Sequence, residues 1–127
     1  MPGATVYFFQ EADGRSPVVA WLESLRKTDA QAYAKCVAVI ERLAEAGYEL
    51  RRPTADMLRD GIYELRARKG HVNYRLLYFF HGRNVAIVAH ALTKDDVVPA
   101  ADIDRALARK RVYEKFPEVH TYVRQTR

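Results

Sequence analysis

The chain has 127 residues, 49% of them apolar and 29% charged, a formal charge of +5 and a single cysteine. That size and balance describe one globular domain able to bury a real core, and the lone Cys36 excludes an internal disulfide. Four histidines without cysteine pairs argue against a structural zinc site. The absence of a long apolar run or a signal-like start predicts a cytoplasmic protein with no membrane contact.

Residues 4–10 are rich in aromatic and β-branched side chains and predict a short strand. Ser16-Pro17 then supplies an N-cap followed by proline at the first helical position, and Val18, Trp21, Leu22 and Leu25 follow at helical spacing to about Lys27. Thr28-Asp29 is a second capping signal. From it Tyr33, Cys36, Val37, Ile40 and Leu43 continue as a helix that Gly47 ends, which makes an antiparallel helical hairpin. Residues 49–61 read as a polar connection, with Pro53 and Asp60-Gly61 as turn signals. The period then changes. Residues 62–68, 72–80 and 85–93 predict three strands joined by short turns, hence an antiparallel meander. Pro99 precedes a last helix over 101–115, with Ile103, Ala106, Leu107 and Tyr113 on its inner side. The stretch 117–127 reads as a polar tail that orders only against a partner. The fold class expected is α+β, a curved sheet covered by helices on one face and partly open on the other.

Charge is unevenly distributed. Residues 1–50 carry five Lys/Arg and seven Asp/Glu, whereas residues 51–127 carry sixteen and nine. The basic half contains Arg66, Arg68 and Arg75 inside strands and Lys94 at the end of the third. If those strands are neighbours their cations gather on one patch of sheet, which suits a phosphate backbone.

The run Leu58-Arg59-Asp60-Gly61-Ile62-Tyr63-Glu64-Leu65-Arg66 resembles the "L-x-D-G-[LIW]-[WY]-E-L-R" signature of phage-derived HigB-type toxins, within the RelE/ParE superfamily of toxin–antitoxin modules. Tyr74-Arg75-Leu76-Leu77-Tyr78-Phe79 is similar to the family's "Y-R-[VI]-[LF]-Y-F". The likeness extends through Val85 to His90, Lys94, and Pro99 to Ile103 with Ala106 and Arg109. It spans about residues 5–115 and is specific in the central segment.

The resemblance implies a RelE/ParE-like fold and an mRNA endonuclease, often acting on ribosome-bound message and silenced by a helix-turn-helix antitoxin. It implies attack of the RNA 2′-hydroxyl on the adjacent phosphate, with no metal or other cofactor. On that pattern Arg66 and Arg75 are the expected phosphate clamps, since a guanidinium grips two oxygens at once. Lys94 matches the first lysine of a "K-K" pair and is a phosphate ligand or proton carrier. His90 matches the family's "[LV]-H-G-F" histidine and is the acid–base candidate by intrinsic pKa. Arg68, Tyr74, Arg109 and Arg111 are the further RNA-binding candidates, Tyr74 by stacking on a base.

Plainer roles compete at each position: Arg66 paired with Glu64, His90 and Tyr74 in the core, Arg109 and Arg111 on a solvated helix face. The second lysine is replaced, because Asp95-Asp96 follows Lys94, and two carboxylates there repel a phosphate. A ParE-type topoisomerase poison without enzyme activity and an inactive phage-derived binding remnant are the alternative functions. The full run of basic strand positions favours the nuclease.

Overall fold

A computed structural model describes residues 3–93 and 97–123. The chain order is β1 (Thr5–Phe9), α1 (Pro17–Thr28), α2 (Ala30–Ala46), a 3-10 turn (Gly47–Glu49), β2 (Ala55–Arg59), β3 (Ile62–Lys69), β4 (Val72–Phe80), β5 (Val85–Thr93), α3 (Ala100–Lys115), α4 (Pro117–His120) and β6 (Thr121–Tyr122). The mixed α+β class is as expected.

The capping signals act where the sequence places them. The Ser16 hydroxyl accepts from the Val19 N–H, and the Asp29 carboxylate accepts from the Ala32 N–H. Asp29 also takes both of its oxygens to Lys69 Nζ at 2.8 Å, which ties the start of α2 to the end of β3. The Lys69 ammonium beside it holds the Asp29 carboxyl below the usual carboxylate range. Gly47 ends α2 at a positive φ of 57°.

One six-stranded sheet has the order β2-β3-β4-β5-β1-β6. The β3–β4–β5 meander is antiparallel, as predicted, and β1 joins β5 in parallel. Two strands were not expected. β2 lies inside the stretch read as a polar connection and pairs antiparallel with β3 through a bulge between Met57 and Arg59. β6 lies in the stretch read as a tail. It pairs Tyr122 with Phe8 and Thr121 with Phe9, so residues 117–123 order against the protein's own first strand.

Each face of the sheet has its own core. On one, α1 and α2 pack Val18, Leu22, Cys36 and Leu43 against Leu65, Leu76, Tyr78 and Val88. Burial among these side chains pushes the Cys36 thiol up to about 11, so it serves as a small core hydrophobe. On the other, α3 packs Ala106, Leu107 and Tyr113 against Ile62, Leu77, Phe79 and Ile87. The helices therefore flank both faces, and α3 covers the second only in part. Strand alternation divides β3 accordingly. Leu65 and Ala67 face the hairpin, whereas Ile62, Glu64 and Arg66 face the side of α3.

Candidate functional site

Beyond the reach of α3, the α3-side face carries charge where it carried apolar side chains lower down. Arg66 of β3 is the direct cross-strand partner of Arg75 of β4. Two cations placed opposite one another repel, and Glu64 resolves this. It sits two residues before Arg66 on the same face and diagonally from Arg75, within reach of both long side chains. Glu64 Oε2 accepts from Arg66 Nη2 at 2.7 Å and Nε at 3.0 Å, and Oε1 accepts from Arg75 Nη1 at 3.0 Å. Glu64 is 2% exposed, Arg75 13% and Arg66 37%. A buried carboxylate thus grips one buried and one half-open guanidinium. Arg75 Nε is buried without a hydrogen-bond partner, so the side chain keeps a donor that the protein does not use.

These side chains floor a depression of about 430 Å³, walled by Asp56 and Leu58 of β2 and by Val97 and Val98 ahead of α3. Asp56 Oδ2 lies 3.5 Å from Arg66 Nη2 but only 2.9 Å from Arg52 Nη2. The Arg52 guanidinium is the main cause that keeps the Asp56 carboxyl below its usual range. Across this group three arginines meet two carboxylates, which leaves one net positive charge. Arg68 adds another: it is exposed and donates from Nε to the Gly70 carbonyl at 2.8 Å.

His90 lies on the same sheet face but in a separate cluster under α3. Its Nε2 is 2.6 Å from Asp102 Oδ1 and its Nδ1 is 3.3 Å from Arg109 Nη1. A neutral ring satisfies both contacts when Nε2–H donates to Asp102 and Nδ1 accepts from Arg109. Burial pushes the His90 pKa down, and the Asp102 carboxylate partly opposes this while Arg109 and Arg105 add to it. With its folded pKa depressed, His90 contributes stability that is complete above about pH 6.5, the unfolded value, and is lost as pH falls through the folded pKa. Asp102→Asn removes the opposing carboxylate. Its expected effect is a lower His90 pKa, read from the ring-proton titration by NMR, with the acid loss of stability still starting near pH 6.5, at about the unfolded value, but running further down in pH and therefore larger in total.

Arg109, expected at the RNA surface, is largely buried. It donates to the Ala89 carbonyl at 2.7 Å, lies 5.7 Å over the Phe9 ring and sits 3.7 Å from Glu11. Its guanidinium is a strut between α3, β5 and the end of β1, because α3 turns that position inward. Tyr74 is also corrected. Alternation along β4 turns it away from Arg75 onto the hairpin face, where it is 7% exposed and meets Trp21 edge-on at 6.3 Å. Arg111 is exposed on α3. Lys94 and the following Asp95-Asp96 lie outside the described residues. Glu64, the group that organises the arginines, was foreseen only as a plain partner of Arg66. Its signal was the Glu-x-Arg spacing, which puts both side chains on one strand face.

Among the described residues no group of three or more His, Cys, Asp or Glu side chains is placed to hold a metal ion. Among them, too, no helix is long and apolar enough to cross a membrane.

Residues 23–111, more than two-thirds of the chain, match the family described as phage-derived protein Gp49-like (DUF891). The chain belongs to the phage-derived Gp49-like family. The Gp49-like region takes in Glu64, Arg66, Arg68, Arg75, His90 and Arg109, and leaves out β1 and β6. No curated protein matches the chain.

Proposed function

We propose that this protein is the toxin of a toxin–antitoxin pair, of the HigB type within the RelE/ParE superfamily, and that it cleaves mRNA. The observation that carries the reading is the Arg66–Glu64–Arg75 cluster on the uncovered end of the sheet. The Gp49-like family, itself counted among RelE-like toxins, supports it.

The reaction is attack of an RNA 2′-oxygen on the adjacent phosphorus. The new O2′–P bond forms as the P–O5′ bond breaks, one proton leaves the 2′-hydroxyl and one reaches the departing 5′-oxygen. The products are a 2′,3′-cyclic phosphate and a 5′-hydroxyl end. Charge builds on the equatorial phosphoryl oxygens, where fixed guanidinium donors act most strongly. Arg66 and Arg75 supply those donors, and Glu64 holds them so that little reorganisation is needed. Glu64 already accepts three N–H bonds and is assigned this orienting role. His90 has both nitrogens engaged within the protein and is assigned to holding α3 on the sheet. Lys94, which lies outside the described residues, is assigned from the sequence resemblance as the proton carrier that the reaction requires. The partners are message, on the ribosome or off it, and a helix-turn-helix antitoxin.

The test is induced expression in bacteria with mapping of mRNA 5′ ends beside a DNA-damage reporter. Codon-phased cuts that disappear in Arg75→Ala support the nuclease. Growth arrest with intact messages and an active damage response supports the topoisomerase poison in its place.

A binding measurement bears on the same surface. Three arginines on phosphates give an expected log–log salt slope of about −2 for single-stranded RNA. A slope near zero between about 50 and 200 mM salt removes the arginine surface from RNA binding.

A further inference from the structure

On the other side of edge strand β2, opposite the arginine depression, lies a recess of about 500 Å³ that the proposed reaction does not use. Its lining is aromatic and cationic. Tyr48 follows α2, is 45% exposed, and stacks on Phe80 with ring centroids 4.0 Å apart and planes 16° from parallel. Tyr63 stacks on Tyr78 at 5.3 Å and meets Phe80 edge-on. Arg51 and Arg52 border the opening, and Met57 of β2, among the most exposed apolar side chains described, forms the rim.

Three features point to one kind of ligand. Large aromatic surface is ordinarily hidden, and here Tyr48 is backed by the Phe80 ring yet stays 45% exposed, as a stacking platform does. The cations beside it complement an anion attached to whatever stacks. The recess also adjoins the first site: Asp56 lines both, and its Oδ2 contacts Arg52 on one side and Arg66 on the other. A strand of nucleic acid leaving the Arg66–Arg75 cluster over β2 arrives at Arg52 and Tyr48 after crossing a single edge strand.

We infer that the Tyr48–Arg52 recess binds a nucleobase of single-stranded RNA flanking the phosphate held by Arg66 and Arg75, with Arg52 on that nucleotide's backbone. The inference rests on the RNA reading of the arginine cluster and adds to it a second point of grip, on the opposite face of the sheet. A base on Tyr48 fixes the register of the message across β2 and so selects which phosphate reaches the arginines.

The test uses the whole protein and a dye-labelled 2′-O-methyl hexaribonucleotide, which binds but cannot be cut, beside the same oligomer with one abasic position moved along its length. Tyr48→Ala is expected to weaken binding about tenfold, in line with base–aromatic stacking, and Tyr48→Phe to keep wild-type affinity. At one abasic position the wild type should lose that same factor, and Tyr48→Ala should lose nothing more. Arg52→Gln should reduce the salt slope by about 0.7. The abasic series needs no variant, so a Tyr48→Ala protein that folds poorly does not decide the matter. Wild-type binding that depends on Arg66 and is indifferent to every abasic position and to Tyr48 overturns the recess and leaves the arginine site standing. No binding by the wild type at all overturns both.

Discussion

Replacing Glu64 with alanine is expected to cost about 3–5 kcal/mol by urea denaturation, the range found when one member of a buried ion pair is removed. The two arginines do not lose it equally. Arg66 is 37% exposed and has Asp56 within 3.5 Å, so water and a second carboxylate soften the loss. Arg75 is 13% exposed, its Nε already lacks a partner, and the only acceptor described for its Nη1 is Glu64. The cost is therefore concentrated on a buried cation left alone. A double variant makes the point sharply. Glu64→Ala with Arg75→Leu removes the stranded charge and should be more stable than Glu64→Ala alone, although it contains one more substitution. If the double variant is the weaker of the two, the destabilisation comes from lost packing and not from the uncompensated guanidinium.

Arg75→Ala should abolish message cleavage while the protein still folds. Loss of one preorganised donor to a developing oxyanion costs about 10²–10³ in rate, and Arg75 is the better fixed of the two, held by Glu64 with little solvent around it. Arg75→Lys should fail nearly as badly. A single ammonium cannot keep the contact to Glu64 and also present a planar pair of donors to a phosphate. Salt-dependent RNA binding should fall only modestly in Arg75→Lys, since the charge remains. Cleavage of a defined message at saturating protein, read as single-turnover rate beside affinity, separates the effects. A lysine variant that cleaves at the wild-type rate would show that charge alone suffices and that the Glu64 geometry is incidental.

The central meander was legible because its strands are rich in β-branched and aromatic residues and are joined by short turns, and neighbouring strands bring Arg66 and Arg75 together without further information. β2 was hidden for the opposite reason. Ala-Asp-Met-Leu-Arg has little β preference, sits just after Pro53, and owes its conformation to hydrogen bonds offered by β3. The position of α3 was half legible: its inner residues follow from spacing, but which face of the sheet it covers depends on the crossing of the chain after β5. Arg109 shows the limit most plainly. A helical arginine usually looks solvated from spacing, and only the partners at Ala89, His90 and Phe9, far away in sequence, turn it inward. Tyr74 misled through its neighbour, since adjacent residues in a strand face opposite ways.

The pairing of β1 bears on how the molecule comes into being. Thr5 must wait for Val85, about eighty positions later, and Phe9 for Thr121. The His120 ring lies 5.1 Å from that of Phe9 and nearly parallel to it, its Nδ1 meets the Gln10 carbonyl at 2.8 Å, and Gln10 returns a bond to Val119. During synthesis the helical hairpin has its own local contacts early, but the first strand has no strand partner until β5 has left the ribosome, and none along its outer edge until β6 has. A product stopped after α3 leaves Phe9 and the outer edge of β1 uncovered, a sticky surface at the beginning of the chain created by an omission at its end.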